Sequence, residues 1–224
     1  MIDPRTWTDR LTQNERRLFR DLDRPSKIQD HLERIPINFE RDGDTCKSPR
    51  MVLETGSAHC IEGAMLAATA FWFHGQRPLL LDLKATARDV DHVVAPFRAH
   101  GCWGAISKTN HAVLRYRDPV YRSVRELAMS YFHEYTIDSG LKTLTSYSAI
   151  FDLRRLGSDW IVAGEPLWDL SYALDRSRHY SILKGRPRRT LRRADVIERR
   201  AGTLVQWNRD ARTRDRERDR ADRA

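Results

Sequence analysis

Apolar residues recur at helical spacing at Leu18, Phe19, Leu22, Ile28, Leu32 and Ile35, set among polar clusters. Pro25 and Pro36 punctuate this pattern, which predicts two short helices within 14–35, with Ser26 a possible cap for the second. The stretch 36–49 mixes Gly, Asp and Pro without a period and reads as a loop, and 49–54 as one helical turn. Residues 56–75, GSAHCIEGAMLAATAFWFHG, are apolar on nearly every side. A helix of that kind is buried all round and central to its fold. Ser57 is the expected N-cap, Cys60 falls in the first turn, and Gly75 is the stop.

Beyond Gly75 the period changes. Short apolar runs at 78–83, 92–97 and 102–106 predict strands, with a further one at 112–115. Pro96 suggests that the second run is an edge strand or carries a bulge. Val124, Leu127, Ala128, Tyr131 and Phe132 form a helical stripe within 122–135, whose aromatic members read as core packing. One more strand is expected at 160–163 and a short helix at 165–174. Successive strands with tight connections imply an antiparallel sheet. The predicted fold class is α+β: a central helix carrying the cysteine, packed against a small antiparallel β-sheet, with flanking helices.

Composition narrows this picture. The chain has 224 residues, 40% of them hydrophobic, enough for one main domain. No run reaches the roughly 18 apolar residues that a membrane span needs, and MIDPRTWTDR lacks a signal-peptide layout, so the expected location is cytoplasmic. Cys46, Cys60 and Cys102 are too few and too scattered for a disulfide framework, and none forms a CxxC pair. The net charge of +9 is a property of the tail: residues 184–224 hold 15 Lys or Arg against 7 Asp or Glu, leaving 25 against 24 in residues 1–183. The expected organisation is a single domain over 1–183, with helices at 14–35 and a core at 49–135, followed by a basic helical or disordered tail at 184–224. Arg alternates with Asp and Glu along that tail, which argues against nucleic acid as a partner.

The candidate chemistry starts at Cys60. A thiol in the first turn faces the positive end of the helix dipole, a setting that lowers its pKa. The bland alternative is an inert core thiol, since free cysteine is among the most buried residue types. His92, opening the second strand after a polar loop with Asp89 and Asp91, is the best placed base. Ser107, Thr109 and Asn110 are candidates to orient its ring. His59 is expected at the pocket rim, because adjacent helical residues diverge by about 100°. Glu62 is expected to serve as a dipole partner. A metal site built from Asp82, Asp89, Asp91, His92 and His111 matches no zinc or calcium spacing, so no metal and no cofactor are expected.

The segments HCIEGAMLAA, DHVVAPFRAHGCWGAIS and KTNH resemble the transglutaminase-like superfamily of cysteine acyltransferases and proteases. The stretch WGAISKTNHAVLRYRDPVYRSVRELAMSYFHEY is similar to a bacterial group of that superfamily without an assigned substrate. The resemblance implies Cys60 as nucleophile and His92 as base. The family's third member is commonly an aspartate, and its place here falls at Ser107, with Asn110 the nearest amide. The implied function is a cysteine acyl hydrolase or transferase acting on an amide, peptide or isopeptide bond of a peptide, protein or small amide. The alternative is a catalytically inactive binding module on the same fold.

Overall fold

A computed structural model describes residues 7–183, 185 and 188–208. Two amphipathic helices, α1 (Gln13–Asp21) and α2 (Pro25–Arg34), open the chain. Thr12 and Glu15 form a reciprocal capping box at the start of α1. Pro25 stands at the start of α2, where its missing N–H costs nothing, and the N-cap is Arg24 where the sequence suggested Ser26. Next come α3 (Pro49–Thr55) and the central α4 (Cys60–Phe73). Every residue of α4 from Ile61 to Trp72 is buried. After its last residue the chain turns through Gly75, whose φ of +77° is left-handed.

Among the described residues seven strands form one antiparallel sheet: β1 (Leu79–Lys84), β2 (His92–Ala99), β3 (Cys102–Ile106), β4 (Arg117–Tyr121), β5 (Ser146–Ser148), β6 (Phe151–Asp152) and β7 (His179–Ser181). The order is β4-β3-β2-β1-β5-β7, and β6 also pairs with β1. The fold is therefore α+β, as the pattern of helical and strand periods indicated. β1 and β2 are largely apolar on successive residues, as at 79–81 and 93–97, because both faces of the sheet are covered. Leu80, Val93, Ala95, Phe97 and Ile106 join the core formed by α4 and the N-terminal helices. Leu81, Leu83, Val94 and Ala105 face a second core with Leu127, Ala128, Tyr131 and Phe132, contributed by α5 (Val124–Ser130) and the turn after it. Two further helices complete the described chain, α6 (Trp168–Asp175) and α7 (Val196–Thr203).

Several local expectations need correction. Ser57 does not cap α4; its hydroxyl and carbonyl both accept from Lys47 Nζ, at 3.1 and 2.6 Å, and the N-cap is His59 in an extended conformation. Residues 112–115 form no strand. Ala112 N–H instead donates to Leu204 O at 2.9 Å, and the edge strand is RDPVY at 117–121, which carries a proline and half-exposed side chains. The run at 160–163 is a 3₁₀ turn (Asp159–Ile161), and Trp160 stacks on Trp72 of α4. Pro96 lies on an interior strand, beyond the last β1–β2 pair, Leu81 with Val94. The irregularity falls instead between β3 and β4, at Trp103/Ala105.

The boundary drawn at 184 divides two sets of residues that pack together. His111 pairs with Val205 in an isolated bridge, Gln206 N–H donates to Asn110 O at 2.8 Å, and Arg188 donates to the carbonyls of Lys142 and Leu144. The rest of the basic segment, 209–224 together with 184, 186 and 187, lies outside the described residues. Among the described residues no helix is long and apolar enough to cross a membrane.

Candidate active site

Cys60 is the first residue of α4, and its backbone N–H has no acceptor within the helix at that position. The β1–β2 hairpin brings His92 to the same place, since the register sets it opposite Leu83 at the end of the ladder. Cys60 and His92 line one cleft of about 370 Å³, together with Ile37, Val90, Leu114 and Tyr135. Gly63, one turn into α4, allows the helix to sit against the segment that follows β3. A Cβ on Gly63 would lie 2.4 Å from Cβ of Lys108.

Behind His92 stands Ser107, with Nε2 of the ring 2.8 Å from its Oγ. The hydroxyl hydrogen of Ser107 is donated to the carbonyl of Leu114. A hydroxyl has one hydrogen to give, so toward His92 it accepts, and the ring carries its hydrogen on Nε2. Nδ1 then holds the lone pair that a base needs. Ser107 is itself held by α2. Gln29 accepts from Ser107 N–H at 3.0 Å and donates to Ser107 O at 2.9 Å. Leu114, the acceptor, sits in the left-handed region at φ +60°, and its N–H donates to Glu134 at 2.7 Å.

Asn110 lines the cleft but does not support the ring. Its amide donates to Trp207 O at 2.9 Å and accepts from Trp207 N–H at 2.8 Å, which ties the C-terminal segment to the loop. Thr109 accepts from His111 N–H. Of the candidates for the third position, Ser107 is the one brought to His92.

His59 is the residue that the helical-wheel argument misplaced. As an N-cap with φ −100° and ψ −169° it is not helical, so the divergence of about 100° between helical neighbours does not apply to it. Its Nδ1 lies 4.0 Å from Cys60 Sγ, and its Nε2 donates to Thr45 O at 2.9 Å. The carboxylates of Glu62 and Glu40 stand 3.4 and 3.5 Å from Nε2. Glu62 is fully buried and more than a dipole partner. It accepts from the N–H of His59 and of Lys47, from Thr45 Oγ1 and from Asn38 Nδ2. This carboxylate was readable only as a first-turn acid, because three of its partners, Asn38, Thr45 and Lys47, arrive from the loop at 38–47.

The electrostatics separate the thiols. Burial pushes Cys46 up to about 12, the ordinary behaviour of a core cysteine. Burial opposes ionisation of Cys60 too, but the imidazoles of His59 and His92 beside it outweigh that and bring the thiol down to about 5. Burial likewise opposes a charge on His59, yet its interactions with Cys60 and Glu62 raise the ring to about 11. For Glu62 burial is again overcome, chiefly by His59 and by backbone N–H donors, and the carboxyl falls to about 2.

The residues weighed as metal ligands are engaged by protein groups. His111 Nδ1 bonds Gly202 O, and Asp91 accepts from Ala85 N–H. Asp82, Asp91 and Asp175 cluster, but Lys84 bonds Asp175 and lies 3.7 Å from Asp91, while His179 bonds Asp82 at 3.1 Å. Lys108, an indistinct basic residue in the sequence, is buried with its ammonium on the carbonyls of Leu32 and Ile35, at the C-terminal end of α2. Comparison of the sequence with protein-family models and with curated proteins finds no match.

Proposed function

We propose that the protein is a transglutaminase-like cysteine acyl hydrolase or transferase, with Cys60 as nucleophile and His92 as proton carrier. The observation that carries this reading is the hydrogen count at Ser107, which leaves the His92 Nδ1 lone pair available beside a thiol at a helix start. The thiol proton of Cys60 passes to Nδ1 of His92 as Sγ attacks the carbonyl carbon of an amide or ester, and the oxygen of the tetrahedral intermediate takes up charge near the Cys60 N–H. The bond to the leaving group breaks as protonated His92 gives its proton to the departing nitrogen or oxygen. Water or an amine then attacks the thioester, yields a proton to His92, and releases the thiolate.

The cleft is open, with an apolar side of Ile37, Val90 and Leu114, which suits a peptide, isopeptide or small-amide substrate. Cytoplasmic location belongs to the same proposal, since a thiolate nucleophile works where thiols stay reduced. The test is hydrolysis of p-nitrophenyl acetate by the full chain and by Cys60→Ala and His92→Ala. Loss of turnover in both variants is expected; turnover that survives in Cys60→Ala refutes the nucleophile.

A second reading, a non-catalytic binding module on this fold, is favoured by one observation: a neutral serine stands behind His92 where the resembling family commonly has an aspartate. It predicts a reactive Cys60 with no ester turnover.

A further inference from the structure

The carboxylate absent from behind His92 is present behind the other imidazole. We propose that His59, held protonated by Glu62 and Glu40, keeps Cys60 a thiolate and leaves His92 free for proton transfer. The inference rests on Cys60 being the nucleophile and assigns the two rings separate tasks.

The geometry supplies the argument. His59 Nε2 points at a carbonyl, Thr45 O, and so carries a hydrogen. Its Nδ1 points at the sulfur. Facing a thiol, a neutral ring would accept the S–H at Nδ1; facing a thiolate, the imidazolium gives an N–H. The charges agree with the second arrangement. The groups facing His59 and Cys60 are Glu40 and Glu62, Lys47 beyond Glu62 at 3.7 Å, His92 from β2, Tyr135 after α5, and the buried thiol of Cys46. With His59 neutral, two carboxylates and a thiolate would share Lys47 as the nearest cation. With His59 charged, that crowd of anions has a second cation at its centre, within 4.0 Å of all three. Glu62 cannot drop out by swinging into water, because its side chain is fully buried and fixed by four donors.

His92 lies in a different setting. Its partner is a hydroxyl that offers no charge, so nothing on that side favours a permanent imidazolium. A ring so placed can take and return a proton. Glu62 is a positioning residue that acts on the sulfur only through His59.

Two measurements on the full chain test this. The first is the pH profile of Cys60 carbamidomethylation by iodoacetamide, read by mass spectrometry, in wild type, His59→Gln, Glu62→Gln and His92→Ala. A low midpoint is expected in wild type and is largely kept in His92→Ala. In His59→Gln the rate at about pH 6 falls roughly 10- to 100-fold, a displacement of one to two pH units, with a smaller fall in Glu62→Gln. A midpoint lost in His92→Ala and kept in His59→Gln overturns the proposal while leaving the nucleophile in place. An ordinary thiol titration in wild type removes the activated nucleophile and this proposal with it. The second measurement needs no substitution: ¹⁵N spectra of the histidine rings at about pH 8 should show both nitrogens of His59 protonated. A neutral His59 at that pH overturns the proposal even if the buried-site variants fail to fold.

Discussion

His92 Nε2 stands 2.8 Å from Ser107 Oγ, and the hydrogen of that hydroxyl is committed to Leu114 O, so one serine selects the tautomer of the ring. Ser107→Ala removes the acceptor and with it the preference for a hydrogen on Nε2. Ester hydrolysis should fall about 100-fold, the lower end of what a positioned acid or base contributes. Ring ¹⁵N shifts should move toward a mixture of tautomers. Unchanged His92 shifts in Ser107→Ala would mean that another group holds the ring.

Asn110→Ala should leave those shifts alone, because Asn110 bonds the Trp207 backbone and not the imidazole. Its effect belongs to the C-terminal segment, which loses two partly buried hydrogen bonds worth about 1 kcal/mol each. Limited proteolysis should cut 188–208 sooner in the variant, and equal cutting rates would contradict the assignment.

Gly63→Ala places a methyl group 2.4 Å from Lys108 Cβ, closer than carbon atoms approach. The neighbour is the root of a buried side chain whose far end is fixed on Leu32 O and Ile35 O, so it has little room to yield. Overpacking of this kind costs about 1–3 kcal/mol. Lys108→Met should cost a similar or larger amount, about 2–4 kcal/mol, by leaving two buried helix-end carbonyls without a donor. Chemical denaturation measures both.

Acid should reach the fold through Glu62. Its carboxyl sits at about 2 in the folded protein against 4.5 for the free group, so the folded state favours the charged form. The stabilisation is complete above the unfolded value and disappears as pH drops from about 4.5 toward 2, on the order of 3 kcal/mol for a side chain with no exposure. Glu62→Gln should be less stable than wild type at neutral pH, with the gap closing across that window. A gap that stays constant with pH would show that the carboxyl is not the group titrating.

Much of this molecule was legible in periodicity. The two N-terminal helices, the central α4 and β1 to β3 carry long or strongly apolar signals, and Cys60 and His92 were candidates from their places on them, while the resemblance narrowed the third place from three residues to Ser107 and Asn110. The failures have physical causes. RDPVY is an exposed edge strand with little apolar content, so a neighbouring run at 112–115 looked more strand-like. The four residues at 160–163 were too short to distinguish a 3₁₀ turn from a strand. His59 was judged on a helical wheel although it lies just outside the helix. Gln29 and Lys108 owe their roles to partners 73 to 78 positions away in sequence, and Glu62 joins to its neighbour His59 a partner 15 positions away, none of which a hydrophobic period encodes.

Gln29 brackets the backbone of Ser107, and the next residue, Lys108, closes the end of the same helix. The serine that sets the ring of His92 is thus riveted to α2 on two successive residues. Its amide should exchange with solvent only when the whole domain opens, among the slowest in the protein. A cleft whose floor is that rigid can adapt to a bound molecule only at the opposite wall, the loop 109–114 and the C-terminal segment laced to it.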